Sequence, residues 1–219
     1  MEPAASPPAP VALDAREARV LGVLIEKAYS TPEQYPMSIN GLTAGCNQKS
    51  NRDPEVSWSE DQVDDAIQSL KKKELAFTFF PANARVEKYR HNAKERLGVE
   101  GRELATLAEL LLRGPQTLGE LRTRVSRMLK VDSLEQMTAI LENLLAKSYV
   151  RRVSPPPGSR AELFEQLVAP KLHPPRAMPA AAEEETEARS PGPSGGPSLA
   201  DRVAALEAEV ARIKARLGT

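Results

Sequence analysis

The stretch SEDQVDDAIQSLKKKELAFTFF, residues 59–80, decides the fold of this 219-residue chain. Ser59 and Gln62 form a capping-box pattern that predicts a helix start, and apolar residues recur at helical spacing after it. The β-rich run LAFTFF (75–80), a PANA turn and RVEKYRH (85–91) follow, and they predict a hairpin. The stretch therefore predicts a capped helix that leads directly into a two-stranded wing.

The same order of elements occurs a second time. Ser133 and Gln136 give another capping-box pattern, and Ser133 lies 74 positions after Ser59. The strand starts Leu75 and Tyr149 are also 74 positions apart. Two helices precede each helix–hairpin unit. In the first repeat they are predicted at 14–29 and from Ser38 to about Asn47, and in the second at 102–113 and from Thr117 onward. The order of three helices and a wing, repeated, predicts tandem winged-helix domains.

The distribution of the 19 prolines bounds the folded part. Segments rich in Pro, Ala, Ser, Gly and Glu bury too little apolar surface to offset their ordering entropy. The predicted fold class is mainly α with small β wings (α+β). The predicted organisation is a disordered N-terminus at 1–12, winged-helix domains at 13–98 and 99–168, a Pro-rich disordered linker at 169–198 and a coiled-coil-type helix at 199–217.

Four stretches resemble a known family. They are LIEKAYSTPEQYPMSINGL (24–42), CNQKSNRDP (46–54), RVEKYRH (85–91) and LLRGPQTLGELRTR (111–124). They resemble the bacterial YceH-like proteins, an uncharacterised family of tandem winged-helix domains, over about residues 13–168. The resemblance implies a fold and little about activity. Met37 stands where the family is expected to carry Leu.

Composition argues against several classes of function. Thirty basic and thirty acidic groups give no net charge and no global attraction to nucleic acid or anionic lipid. The single cysteine excludes an internal disulfide, and with two histidines it makes a poor zinc site. The sequence contains no run of about 20 apolar residues, the length that is needed to span a bilayer, and its N-terminus lacks a signal-peptide pattern. We expect a cytoplasmic protein without metal, cofactor or membrane contact.

Motifs for catalysis are also missing from the sequence. No phosphate-binding glycine motif appears, and no small-molecule substrate is evident. Cys46 falls on an apolar helix face, which favours a buried core thiol. His91 ends a wing strand and His173 lies in the predicted linker, so both are expected to be solvated. We expect a protein that is not an enzyme.

DNA binding is the first function that the predicted fold suggests, because winged helices commonly place the third helix in the major groove. The third helix of the first repeat begins with Glu60, Asp61, Asp64 and Asp65, which oppose phosphate but also suit the helix dipole. The second repeat is more basic, and its third helix carries Gln136 and Asn143, which are able to read base edges. Basic candidates for contact with nucleic acid or a partner are Arg85, Lys88, Arg90, Arg122, Arg124, Arg127, Arg151 and Arg152.

The loop CNQKSNRDP supplies the remaining candidates. They are Asn47, Gln48, Lys49, Ser50, Asn51 and Arg52. Two cations among short hydrogen-bonding side chains would hold a phosphate or a carboxylate. Alternatively, the Asn, Ser and Asp side chains cap the preceding helix and tie the loop to itself.

The C-terminal stretch LADRVAALEAEVARIKARL, residues 199–217, has a heptad pattern. Its apolar residues step by 4, 3, 4, 3 and 4, and they are Leu199, Val203, Leu206, Val210, Ile213 and Leu217. β-Branched residues at a with mostly Leu at d favour a parallel homodimer. A helix docked on its own domain is the alternative.

Two functions remain open from the sequence. The first is a DNA-associated or transcription-regulatory protein, which the tandem fold and the basic second repeat favour. The second is a protein-interaction scaffold, similar to chromosome-segregation proteins with paired winged helices, which the acidic third helix and zero net charge favour.

Overall fold

The first repeat contains three helices and a hairpin in the predicted order. The computed structural model describes residues 11–80, 86–154 and 161–173. The elements of this half are α1 (Ala15–Ser30), a 3-10 turn (Pro32–Gln34), α2 (Ile39–Cys46), α3 (Glu60–Lys72), β1 (Ala76–Phe79) and β2 (Lys88–His91). Each helix begins where a side chain accepts from free backbone N–H groups: Asp14 caps α1, Ser38 caps α2 and Ser59 caps α3.

The second repeat follows a short helix that the sequence analysis missed, α4 (Ala93–Leu97). Its elements are α5 (Gly101–Arg113), β3 (Gln116–Thr117), α6 (Leu118–Val125), α7 (Leu134–Ala146), β4 (Val150–Val153) and β5 (Leu163–Gln166). Thr117 and Glu120 form the predicted capping box of α6. Ser133 caps α7, but the Gln136 side chain accepts from Asp132 N instead of completing the box with Ser133.

Two small antiparallel sheets complete the architecture, so the protein is mainly helical with β hairpins (α+β). In the first sheet β1 pairs with β2, and the isolated bridge between Met37 and Tyr89 extends it. In the second sheet the strand order is β3-β5-β4, so the predicted hairpin gains a third strand. That strand, Gln116–Thr117, is too short to leave a periodic pattern in the sequence.

Helices α1 and α5 bring the two repeats together. Their packing is close at Gly22, where a Cβ atom would meet Leu112 Cδ2 at 3.0 Å. Buried side chains of both repeats, including Leu21 and Leu107 at 0% exposure, belong to one apolar cluster. The predicted boundary at residues 98 and 99 therefore marks a sequence repeat and not a break in the core.

Polar contacts fix α1 against α3. Glu17 is buried, and its carboxylate accepts from Ser69 Oγ and Lys73 Nζ, both at 2.6 Å. Burial alone would raise the pKa of Glu17, but the hydrogen bonds from Lys73, Ser69 and Asp14 lower it. The carboxylate that closes the capping box of α1 thus also joins two helices.

The folded part extends beyond the predicted start of the linker at residue 169. Ala169 is fully buried, Leu172 is 5% exposed, and Leu13 N donates to Val168 O at 2.8 Å. Since Ala169, Leu172 and His173 are buried, the prediction of a disordered linker is wrong for the segment 169–173. The predicted coiled-coil segment 199–217 lies outside the described residues. Among the described helices, none has the length and hydrophobicity needed to cross a bilayer.

A glycine contact between α1 and α2 yields a stability prediction. A Cβ on Gly45 would lie 2.7 Å from Val23 Cγ1, so Gly45→Ala should lower the free energy of unfolding by about 1–3 kcal/mol. Gly119→Ala is the control, because nothing lies within 4 Å of its Cβ position. The control should be unchanged or stabilised by up to about 1 kcal/mol. Urea unfolding measures both, and equal midpoints would contradict close packing at Gly45.

Candidate functional site

The loop that follows α2 is held by its own side chains. Asn47 Oδ1 accepts from Trp58 N and its Nδ2 donates to Trp58 O, both at 2.8 Å, so one amide closes the two ends of the loop. Asn51 adopts a left-handed conformation (φ 63°), which Asn tolerates better than most residues. Asp53 N donates to Leu112 O of α5 at 2.8 Å. The loop therefore links the first repeat to the second.

Arg52 is the centre of these contacts. It is 6% exposed, and its guanidinium makes a bidentate ion pair with Glu26 of α1, with Nη2 to Oε2 at 2.6 Å and Nη1 to Oε1 at 3.2 Å. The remaining donors reach Gly45 O, Asn51 O and Gln48 Oε1 at 2.8–3.0 Å. A buried guanidinium is stable only when its donors are paired in this way.

A second buried guanidinium lies beneath the same loop. Arg19 of α1 is fully buried, and its Nη1 and Nη2 donate to Cys46 O at 3.2 Å and Pro54 O at 2.6 Å. Burial lowers its pKa, and the neighbouring cation of Arg52 lowers it further. Carbonyl oxygens at both ends of the loop thus converge on a cation inside the helix bundle.

His173 closes this region from the C-terminal side. It is 7% exposed, its Nε2 lies 2.6 Å from Asp53 O, and its ring lies against Gly114, where a Cβ would approach Cδ2 to 2.9 Å. The prediction of a solvated His173 is wrong, because residues 169–173 bring this side chain back to the loop. Burial lowers the pKa of His173.

The anion-binding hypothesis for the loop is wrong for Arg52. The carboxylate that this residue holds is the chain's own Glu26, which the sequence analysis did not single out. Asn47 and Gln48 are engaged in the contacts above, and Asn51 accepts a hydrogen bond from Arg113. Lys49 and Ser50 remain exposed at the tip of the loop.

The first hairpin separates its charges onto two faces. Register pairs Phe77 with Arg90 and Phe79 with Lys88, so these cations share the outer face with two phenylalanines. Glu87 and Tyr89 lie on the opposite face, because side chains alternate along a strand, and Glu87 Oε2 accepts from Tyr89 Oη at 3.1 Å. The carboxylate therefore does not lie among the cations, as the sequence order suggests. Arg85 lies outside the described residues.

His91, at the end of β2, departs from the solvated state that was predicted. Its backbone N–H donates to Tyr35 Oη at 2.7 Å, and the two rings lie 5.9 Å apart between centroids. Burial lowers the pKa of His91 to about 4, with the cation of Arg90 as a smaller cause. The imidazole is therefore neutral at pH 7 and serves the packing of the hairpin.

The basic residues of the second repeat are largely engaged inside the protein. Arg124 pairs with Glu120, Arg151 with Glu165 at 2.7 Å, and Arg152 with Glu142 and Glu162. Arg122 donates to Asp132 O at 3.2 Å. Arg127 is exposed, and no ion pair joins it to another described residue. Most of the arginines that the sequence offers for binding in the second repeat are thus paired with carboxylates of the same chain.

The exposed faces of the two third helices are acidic. Glu60, Asp61 and Asp65 of α3 are exposed, as are Glu135 and Glu142 of α7. Gln136 and Asn143, the predicted readers of base edges, are engaged with Asp132 N at 2.8 Å and Glu103 Oε1 at 3.1 Å. Neither helix presents the cationic, hydrogen-bonding face that is typical of a DNA-reading helix.

The described residues contain neither a reactive thiol nor a metal-binding cluster. Cys46 is fully buried, as predicted, and burial raises its pKa to about 12, so the thiol is unreactive at neutral pH. Among the described residues, no group of three His, Cys, Asp or Glu side chains lies close enough to hold a metal ion. An open groove of about 420 Å³ lies between α6, α7 and the β4–β5 hairpin, lined by Leu118, Leu141 and Phe164 among others.

The architecture and its polar loop define a mainly helical protein with two small β hairpins and a buried arginine network. The chain belongs to the family described as "Protein of unknown function, DUF480", whose model matches residues 13–159. The UPF0502 protein of Geotalea daltonii is 50% identical over 161 residues, covering 73% of each chain. Those of Geobacter sulfurreducens and an Azoarcus species are 44% and 41% identical, covering 88% or more of each chain. The expectation of an uncharacterised bacterial family is confirmed.

The buried ion pair gives a prediction that separates structural from surface arginines. Arg52→Met should lower the free energy of unfolding by about 3–5 kcal/mol, because Glu26 loses its bidentate partner and keeps only Lys27 Nζ, at 3.9 Å. The matched control is Arg127→Met, an exposed site, with an expected change within about 0.5 kcal/mol. Chemical denaturation measures both variants. If Arg52→Met were as stable as the wild type and the Arg127→Met control, Arg52 would not hold the loop.

Proposed function

We propose that this protein is a non-catalytic, cytoplasmic protein-interaction module built of two winged-helix units, and that α3 and α7 bind a protein partner. Each unit has the winged-helix order: α1, α2, α3 and the β1–β2 wing in one, and α5, α6, α7 and the β4–β5 wing in the other. The proposal is supported by the position of α3 and α7, which correspond to the helices that winged-helix proteins use for recognition.

The observation that carries the proposal is the charge of these helices. Glu60, Asp61 and Asp65 are exposed along the first turns of α3, and Glu135 and Glu142 along α7. Carboxylates at these places repel a phosphate backbone but complement a basic protein surface. Arg152 pairs with Glu142 and so offsets part of the acidic face of α7. On these two helices the exposed carboxylates without an ion pair to a described residue are Glu135 of α7 and Glu60, Asp61 and Asp65 of α3.

DNA association is the second candidate function. It is favoured by exposed cations that pair with no described residue, at Lys49, Arg90 and Arg127. A protein that relies on phosphate contacts needs several such cations on one face. The arginines of the second repeat contribute less than their number suggests, because Arg124, Arg151 and Arg152 are held by carboxylates.

Affinity capture from native cell lysate, with nuclease treatment, tests the proposal. The full chain should retain at least one protein after nuclease digestion. Capture should fall on Glu60→Gln/Asp61→Asn/Asp65→Asn, because the variant removes charge and keeps side-chain shape. Asp64 is left intact, since it accepts from Gln68 at 3.2 Å. The control is Glu33→Gln/Glu55→Gln, two exposed carboxylates elsewhere in the first repeat, and it should capture as the wild type does.

Mobility shifts of genomic duplex fragments across a salt series give the opposing outcome. Under the proposal, dissociation constants stay weaker than ~10⁻⁵ M at physiological salt, the range of non-specific binding. Binding tighter by ~10³ or more, with one sequence preferred, would favour the DNA-associated regulator. Loss of all captured proteins on nuclease treatment would point the same way.

We also propose, from the sequence of 199–217, that the chain forms a homodimer through this segment. Val210 occupies a central a position, so Val210→Asp should place a charge in the seam and convert the dimer to monomer. Ala204→Asp, on the opposite face of the heptad, is the control and should remain dimeric. Multi-angle light scattering measures both masses. A monomeric parent chain would refute the proposal.

A further inference from the structure

The first hairpin exposes an unusual amount of apolar surface. Phe77, Phe79 and Phe80 are 45%, 38% and 67% exposed, and Val86, next to β2, is 60% exposed. The chain has four phenylalanines, and three are on this hairpin. Among the described residues, Leu134 at 46% is the other large apolar side chain in this exposure class. Clustered apolar exposure of this kind marks a surface that a partner covers.

The hairpin does not need these side chains for its own packing. The inner face supplies its anchors, with Ala76 at 1% and Tyr89 at 4% exposure, and Tyr89 also bridges to Met37. Phe77 and Phe79 alternate with the inward residues of β1 and thus point away from the core. A threonine would serve the strand equally well at either position. The phenylalanines are therefore available for a partner.

Two cations lie on the same outer face. Arg90 is directly opposite Phe77 and Lys88 directly opposite Phe79, and no ion pair joins either cation to another described residue. Paired strand positions place Cβ atoms about 4.5–5.5 Å apart, so each charge borders an aromatic ring. Aromatic and arginine side chains together are the typical composition of an interface centre.

We infer that the outer face of the β1–β2 hairpin binds an acidic amphipathic segment of another protein, one that presents large apolar side chains flanked by carboxylates. The apolar side chains cover Phe77, Phe79 and Val86, and the carboxylates pair with Lys88 and Arg90. This inference concerns a second surface, separate from the acidic faces of α3 and α7, and rests on the proposed function only in taking the partner to be protein.

Charge argues against the other occupants. A second copy packed face to face would set Lys88 and Arg90 against the same cations, a juxtaposition that costs several kcal/mol. Single-stranded nucleic acid stacks on aromatic rings, but it also needs a cationic groove that follows the backbone. Here the hairpin's other face carries Glu87 and approaches Asp64, whose Oδ1 lies 3.5 Å from Tyr89 Oη. An acidic protein segment satisfies both the apolar and the cationic parts of the surface.

The test uses the immobilised full chain and a phage-displayed library of random linear peptides. The library is first depleted on Phe77→Thr/Phe79→Thr, a variant expected to fold because both side chains are exposed. Selected peptides should combine large apolar residues with Asp or Glu. Their fluorescein-labelled forms should bind at least about tenfold more weakly to Phe77→Thr/Phe79→Thr and to Lys88→Glu/Arg90→Glu.

The matched control reverses two exposed cations elsewhere, Lys49→Glu/Arg127→Glu, and should bind as the wild type does. Binding should also survive Glu60→Gln/Asp61→Asn/Asp65→Asn, which separates this inference from the role proposed for α3. If the phenylalanine variant fails to fold, the charge-reversal variant carries the test alone, since Lys88 and Arg90 make no described ion pair.

Four results would overturn the inference. The first would be a selection without any peptide that distinguishes the wild type from the hairpin variants. The second would be a selection of peptides rich in Lys and Arg. The remaining two concern other occupants of the same face. A fluorescein-labelled oligothymidine binds the wild type and is lost on Phe77→Thr/Phe79→Thr, which assigns the face to nucleic acid. Light scattering finds a self-association that the same variant abolishes, which assigns the face to a second copy.

Discussion

The polar contacts between the two repeats depend on the ion pair between Arg52 and Glu26, which adds to the apolar packing of α1 on α5. This ion pair holds the loop after α2 against α1, and Arg52 is only 6% exposed. The same loop is hydrogen-bonded to Leu112 of α5 and to His173. A buried charge without its partner costs several kcal/mol, so the loop has little freedom to leave. The polar stretch that resembles a binding loop in sequence therefore serves first to join two halves.

This arrangement changes where function is to be sought. Cations concentrated in the sequence at 47–52 and 122–152 are mostly paired. Apart from Lys49 and Arg127, the exposed charge without an ion pair to a described residue that concerns recognition lies on the first hairpin and on the acidic starts of α3 and α7. Surface ion pairs contribute little to stability, but they do remove cations from the field that a phosphate backbone would meet. The available surface is thus divided into an acidic helix face and an apolar, cationic wing face, which suits recognition of protein.

Local patterns predicted the helices and hairpins well, because their signals are local. Capping residues fixed the starts of α2, α3, α6 and α7 to the residue, and Cys46 was correctly assigned to the core. The two-residue strand β3 and the short helix α4 were missed, since neither is long enough to show a period. The candidate site was predicted less well: Lys49 is exposed as expected, but Arg52 is buried against a residue 26 positions away.

The element order, the repeat, the capped helix starts and the family all follow from the linear sequence. The helices, strands and caps depend on spacing within each element, the repeat on the shared offset of 74 positions, and the family on a distinctive motif, and a linear reading captures all three. Only the tertiary structure decided which charges are paired, that His173 returns to the loop, and that Glu87 lies on the opposite hairpin face from Lys88 and Arg90. Those facts depend on pairing register and on contacts between distant segments, and neither is contained in the periodicity of a single stretch.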